Sequence, residues 1–215
     1  TRRSSDLEAW ARELRMDALV GPMGFTDMDK EGLLVEGFEE LGTLPMIYNY
    51  PYYPEHLNAL GFKKDADWLE FEIKTPAEIP EKVQRINDLV LKRSGLSLVA
   101  AKKPRDYRPF AIGIFDVINA AYSHLYGFVE LTEKQKKVYI NQYFSFIDPD
   151  FTKIIVDKNN KVVAFGISMP SLSRALQKAQ GRLFPVGFVY LLKALKKPET
   201  IDMYLVAVDP EYQGR

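Results

Sequence analysis

The sequence predicts a mixed α/β protein built on a largely antiparallel, strongly twisted sheet with helices on both faces. Three observations carry this. Over the second half, short apolar runs and longer runs of three-to-four periodicity follow in the order strand, helix, helix, strand, strand, helical insertion, strand. Two of those runs, residues 153–157 and 162–169, flank Lys158-Asn159-Asn160-Lys161, a spacing that suits a hairpin. The last run, Met203-Tyr204-Leu205-Val206-Ala207-Val208, is closed by Asp209-Pro210 and reads as a strand buried on both faces in the sheet interior.

The elements follow in order. Residues 5–15 form an amphipathic helix, with Ser5 and Glu8 spaced as a capping box and Leu7, Trp10, Ala11 and Leu14 on one stripe. Residues 18–20 read as a short strand ended by Gly21-Pro22. Asp27, Asp29 and Glu31 cluster, but glycine and glutamate are not at the spacing of a calcium loop, so a solvated turn is expected and no metal site. Glu36 sits beside Gly37 after an apolar triplet, a position from which it could enter a cleft. Residues 46–50 read as a strand, followed by a proline-set helix that Gly61 stops. Residues 67–73 alternate as a half-buried strand. Pro76 and Pro80 bound the best linker in the chain. Beyond it come a helix at 81–94 stopped by Gly95, a strand at 96–101, an apolar helix at 107–122 and a helix at 132–146 opened by a Thr132/Gln135 capping box. After the hairpin, residues 171–179 and 184–197 read as helices.

Bulk properties narrow the function. At 215 residues the chain holds one large domain or two small ones. Lys plus Arg equals Asp plus Glu at 29 each, which gives no case for general nucleic-acid affinity. With no cysteine there is no disulfide, thiolate metal site or cysteine nucleophile, and a cytoplasmic location is expected. The first residues carry no signal peptide and no apolar stretch is long enough to span a bilayer.

Val208-Asp209-Pro210-Glu211-Tyr212-Gln213-Gly214-Arg215 resembles the cofactor motif of the GNAT superfamily, the acyl-CoA N-acyltransferases. In that family a strand ends in Val-x-Pro and leads through Gln/Arg-x-x-Gly-x-Gly/Ala into a helix whose N–H groups hold a pyrophosphate. Asn49 to Gly61-Phe62 is similar to the closing half of the same domain. The resemblance implies two half-units in reversed order: residues 1–75 as the C-terminal half of one GNAT-like unit, 76–82 as linker, and 83–215 as the N-terminal part of a second, cut within its cofactor loop. The chain looks like the middle of a bacterial tandem GNAT-like protein.

The resemblance further implies acyl-CoA-dependent transfer to an unknown small amine, with acetyl-CoA or a longer acyl-CoA as co-substrate. Its cofactor contacts would fall on Leu205, Val206, Val208, Gln213, Gly214 and Arg215, with Asn49 from the closing half. Because the loop stops at Arg215, the chain alone is expected to bind acyl-CoA weakly. A base could be Glu36, Glu130 or Glu211. The family's tyrosine acid falls on Leu57; Tyr52 and Tyr53 lie a helical turn or more too early, and Tyr53 stands as the acid candidate. His56 reads as a surface residue and His124 as a helix-end residue near the acceptor-lining connection. Two alternatives remain: a non-catalytic ligand-binding or association module, and a long-chain acyltransferase at a membrane surface. For the latter, residues 184–197 supply an apolar stretch with Lys193, Lys196 and Lys197 at its end, although burial within a lid is the expectation there.

Limited proteolysis of the intact protein should cut between Pro76 and Pro80 before cutting elsewhere. Resistance of that segment would overturn its reading as a linker.

Overall fold

The hairpin follows from its turn. The Asp157 carboxylate accepts the N–H groups of Asn159 at 2.8 Å and Lys161 at 2.9 Å, and Asn160 takes the left-handed conformation with φ 61°. Those N–H bonds, Lys161 first, hold the Asp157 carboxyl below the ordinary carboxylate range. Around it a computed structural model, describing residues 2–26, 28–144 and 147–214, pairs β2 (Thr152–Val156) with β3 (Val162–Pro170). The residues divide into two compact units, Thr1–Lys64 and Asp65–Arg215.

The second unit holds a four-stranded antiparallel sheet in the order β1-β2-β3-β4, with β1 at Ser97–Leu98 and β4 at Ile201–Val208. Its helices are α3 (Glu81–Ser94), α4 (Ala111–Tyr122), α5 (Glu133–Tyr143), α6 (Ser173–Lys178) and α7 (Gly187–Lys196). Gly95, left-handed at φ 67°, stops α3, and Thr132 with Gln135 forms the capping box of α5. The predicted helix over 107–122 is two pieces, a 3₁₀ segment over Pro104–Phe110 and then α4. Pro109 cannot donate to an α-helical ladder, which accounts for the tighter start. The Asp106 carboxylate anchors that segment by accepting the N–H groups of Lys102 and Lys103, each at 2.9 Å.

The core lies under α4. Ala111, Ile114, Val117, Ile118 and Ala121 recur at helical spacing and are all buried. Ile114, Val117, Ile118 and Ala121 share one cluster with Ile154, Val156, Val162, Phe165 and Ala207 of the sheet. Tyr107, 1% exposed, joins this cluster and donates its hydroxyl to the carbonyl oxygen of Thr152 at 2.6 Å. Gly113 sets the closeness of α4: a Cβ there would lie 2.8 Å from Cγ2 of Val162. At the start of α5, the ammonium of Lys136, its side chain only 6% exposed, reaches Asp116 of α4 at 2.6 Å and Glu133 at 2.8 Å.

Several expectations are corrected. Among the described residues β4 is an edge strand, not an interior one, and Met203 and Val206 are exposed at 67% and 46%. An apolar run gives the length of a strand but not its neighbours, and only two paired edges and two covered faces make it central. Helices do not cover both faces among the described residues. Lys153, Gly166 and Val206, paired across three strands on the face away from α4, are exposed or half-buried. The strand over 96–101 shrinks to β1, and the run over 67–73 is coil with Leu69, Phe71 and Ile73 each more than 70% exposed. Period-two patterning yields a strand only where a partner edge exists. The stretch over 184–197 is exposed instead of buried in a lid: Phe184 is 79% exposed and Val189 50%.

The first unit, by itself, holds α1 (Arg2–Glu13), α2 (Tyr52–Ala59) and no strand among its described residues. The runs over 18–20 and 46–50 are coil. Helix α1 starts at Arg2, so Ser5 lies within it and not at its cap. Gly61 follows α2 with φ 90°, as a helix stop. Asp29 turns the acidic stretch by accepting the N–H of Phe25 at 2.9 Å, while Asp27 lies outside the described residues.

Gly113→Ala should destabilise the chain by up to about 2 kcal/mol in urea unfolding. Overpacking of roughly 1–3 kcal/mol against the stiff Val162 side chain outweighs a helix-propensity gain of about 1 kcal/mol. Adding Val162→Ala should recover part of the cost relative to the sum of the single changes, a coupling that independent sites lack.

Candidate functional site

The end of β4 and the end of α4 meet in a cleft of about 310 Å³ lined by Ala121, Tyr122, His124, Leu125, Val206, Ala207, Val208 and Gln213. Its floor is set by strand register. The N–H of Asp209 reaches the carbonyl oxygen of Val163 at 2.8 Å, and Ala164 faces Val208. In an antiparallel ladder this makes the Ala164–Val208 and Gly166–Val206 pairs the non-bonded ones. The backbone groups of Val206 and Val208 therefore turn away from β3, toward the open edge. Both outward carbonyls are occupied: Tyr122 donates its hydroxyl to that of Val206 at 2.9 Å, and Nε2 of Gln213 donates to that of Val208 at 2.9 Å. What the edge presents to the cleft is the N–H groups of Val206 and Val208.

The turn after β4 is held by Asp209, which is 7% exposed. Its carboxylate accepts the N–H of Glu211 at 3.1 Å and the ammonium of Lys161 at 3.0 Å. That bond raises Lys161 above the ordinary lysine range. Pro210–Tyr212 is a single 3₁₀ turn, and Gly214 is left-handed at φ 71°. Upstream, burial first and the Asp202 carboxylate second push the Tyr204 phenol up. The connection after α4 is tied to the start of this unit, with Tyr126 donating to Asp65 and stacking edge-on against Trp68 at 5.6 Å between ring centroids.

Of the residues singled out from the sequence, Val206, Val208 and Gln213 line this cleft, and Leu205 packs beneath it against the core. Gly214 follows directly, and Arg215 lies outside the described residues. Glu130 is exposed next to Leu131, whose backbone is gripped by Asn119 at 3.0 Å and 2.9 Å. Tyr122 was missed by sequence reasoning, which placed it as an ordinary helix end. His124, expected at a helix end near the acceptor-lining connection, lines the cleft.

Asn49, Tyr53 and Glu36 belong to the first unit. Asn49, 8% exposed, accepts the N–H of Leu34 at 2.7 Å and donates to the carbonyl oxygens of Leu34 and Tyr50, each at 3.1 Å. It thereby mimics a short ladder between two coil segments. Asn49 and Tyr53, with Pro22, Gly32, Leu33, Ile47, Tyr48 and Tyr50, line a second cleft of about 420 Å³. Tyr52 stacks on Tyr53 at 4.7 Å, and a side-chain hydrogen bond between them is the main cause raising Tyr52 above the ordinary tyrosine range. Glu36 is exposed on the surface.

No protein-family model matches the chain, and no solved structure does. Two curated proteins do. Protein YghO of Escherichia coli (strain K12) is 27% identical over 209 residues, 96% of this chain and 53% of its own length. The bacterial ceramide synthase of Caulobacter vibrioides (strain NA1000 / CB15N) is 27% identical over 199 residues, 88% of this chain and 48% of its own length. The chain thus spans about half the length of the curated relatives it matches. No helix among the described residues is long and apolar enough to cross a membrane.

Tyr122→Phe removes one hydroxyl and leaves the packing of the ring. Chemical denaturation should show a loss of about 0.5–1.5 kcal/mol, the range for a typical hydrogen bond. An unchanged unfolding midpoint would mean that Tyr122 does not tie α4 to β4.

Proposed function

We propose that this chain carries the thioester-binding half of an acyl-CoA-dependent N-acyltransferase, with the donor laid along the open edge of β4. One observation carries the reading: the outward N–H groups of Val206 and Val208 face a cleft in which the neighbouring carbonyls are already taken. Donors fixed in this way are suited to a thioester oxygen that gains negative charge. The amine nitrogen attacks the thioester carbon, and the oxygen takes up negative charge under the N–H groups. The oxygen then returns its electrons as the C–S bond breaks, leaving an amide and a thiolate. The thiolate takes one proton and the ammonium intermediate gives one up.

Gln213 and Gly214, at the turn, are proposed for the phosphate side of the donor with Arg215, and Leu205 for support beneath it. His124 lines the cleft and joins Glu130 as a proposed base. Glu36, Tyr53 and Asn49 remain proposals within the first unit. The two-half-unit organisation, with its linker over 76–82, and the GNAT-like fold belong to the same reading. The relative named bacterial ceramide synthase supports acyl transfer to an amine, since a ceramide is an N-acylated long-chain amino alcohol. By that likeness the proposed acyl group is long and the proposed acceptor is a long-chain amine.

Thermal shift of the intact protein with acetyl-CoA, octanoyl-CoA and palmitoyl-CoA tests this. The midpoint should rise with acyl-CoA and rise further with chain length; saturation at about a hundred times Kd corresponds to roughly 2.7 kcal/mol. Val206→Pro, which deletes one outward N–H and no β3 bond, should weaken the shift by at least about tenfold in apparent Kd. Absence of any shift would turn the reading toward a non-catalytic association module.

A further inference from the structure

The connection between β3 and β4 is a two-helix insertion with a strongly basic charge balance. From residue 171 to residue 197 the sequence carries Arg174, Lys178, Arg182, Lys193, Lys196 and Lys197 and no Asp or Glu, in a chain whose net charge is zero. Only Arg174 among these six has an ion pair with a described residue, to Glu199 at 3.3 Å. The same segment is strongly apolar. Gly187 is the one buried residue of α7, with Leu191 and Ala194 half-buried one and two turns on, so a narrow stripe is used for packing. At helical spacing Phe188, Leu192 and Leu195 form a second stripe, and these are 41%, 52% and 44% exposed. Lys193 and Lys196 lie round the helix from that stripe.

The loop before α7 extends the apolar stripe. Leu183, Phe184 and Val186 are 54%, 79% and 53% exposed, and the Phe184 ring sits 6.0 Å from that of Phe188. The loop is held in place. A Cβ on Gly187 would fall 1.8 Å from the carbonyl oxygen of Arg182 and 3.1 Å from Cβ of Ala179. The two phenylalanines are therefore presented together by a close turn before α7, within a stretch from 171 to 197 that holds six cationic residues and no acid.

We propose that the α6–α7 insertion is a membrane-surface anchor, with Phe184, Phe188 and Leu192 entering the headgroup–acyl boundary of an anionic bilayer and the cationic side chains resting on its phosphates. An apolar stripe flanked by lysines, on a helix too short to span, is the arrangement of an interfacial helix. Charge selects the occupant: a neutral protein surface or a second copy of this basic patch offers nothing to six uncompensated or weakly paired cations, whereas anionic lipid does. This goes beyond acyl transfer, because the surface and its charge stand whether or not the β4 cleft binds a thioester.

Co-sedimentation of the full chain with vesicles tests it, using phosphatidylcholine alone against phosphatidylcholine with a minority of phosphatidylglycerol. Binding should require the anionic lipid and weaken as salt shortens the reach of the charges. Lys193→Glu/Lys196→Glu/Lys197→Glu should lower the partition coefficient on the order of 100-fold or more, and Phe184→Ser/Phe188→Ser at least about tenfold. Phe184→Trp, at an exposed position, should give a blue-shifted emission when anionic vesicles are added, which reports insertion without relying on a loss. No binding, equal binding to both vesicle types, or binding that neither multiple variant alters would overturn the proposal. So would a dimer, seen by light scattering, that both variants dissolve. None of these outcomes bears on the thermal shift with acyl-CoA, so the two readings stand or fall separately.

Discussion

The close seat of α4 on the sheet is the constraint from which the rest of the second unit follows. Gly113 lets the helix backbone approach Val162 to a distance that any side chain would forbid. That approach buries Ile114, Val117, Ile118 and Ala121 against Ile154, Phe165 and Ala207, the cluster that forms the hydrophobic core of the unit. It also fixes where the last turn of α4 ends. Tyr122 arrives beside β4 with its hydroxyl in reach of a strand carbonyl, and the turn that follows becomes one wall of a cleft.

Packing and chemistry meet at that point. A strand edge normally offers donors and acceptors in alternation. Here one residue from the helix and one from the turn remove the acceptors, so a neutral backbone edge gains the character of a donor array. No charged side chain is needed, which suits a chain with balanced charge and a cleft walled by Ala121, Leu125 and Ala207. Asp209, gripped by Lys161 and capping the following turn, keeps Gln213 where its amide can reach Val208.

Helices were legible because the sequence contains their signals: the stripe of α4, the Thr132/Gln135 box of α5, and Gly95 and Gly61 as stops. The β2–β3 hairpin was legible because its turn residues are local. What failed depended on partners distant in the chain. Residues 67–73 alternate as a strand should and remain coil, since alternation does not supply a neighbouring edge. β4 read as central because Val206 and Val208 are apolar, yet the same residues face an open edge. For the candidate site, Val206, Val208 and Gln213 were readable through a motif. Tyr122 was not, because its role rests on a contact 84 residues away with a carbonyl that every residue possesses. The exposure of Phe184 and Phe188 was hidden for a similar reason: hydrophobicity alone cannot separate a lid's interior from a surface patch.

The occupied carbonyls of β4 have a consequence for the protein's behaviour at high concentration. Two sheets that join edge to edge must exchange N–H and C=O in register, and an exposed strand edge is the usual starting point for such growth. At Val206 and Val208 an incoming strand would find donors but no acceptors, and would have to displace a tyrosine hydroxyl and a glutamine amide to obtain them. At these two residues the edge is open to a ligand oxygen and poorly matched to another β-strand, so the devices that shape the cleft also weaken that stretch as a template for fibrillar growth.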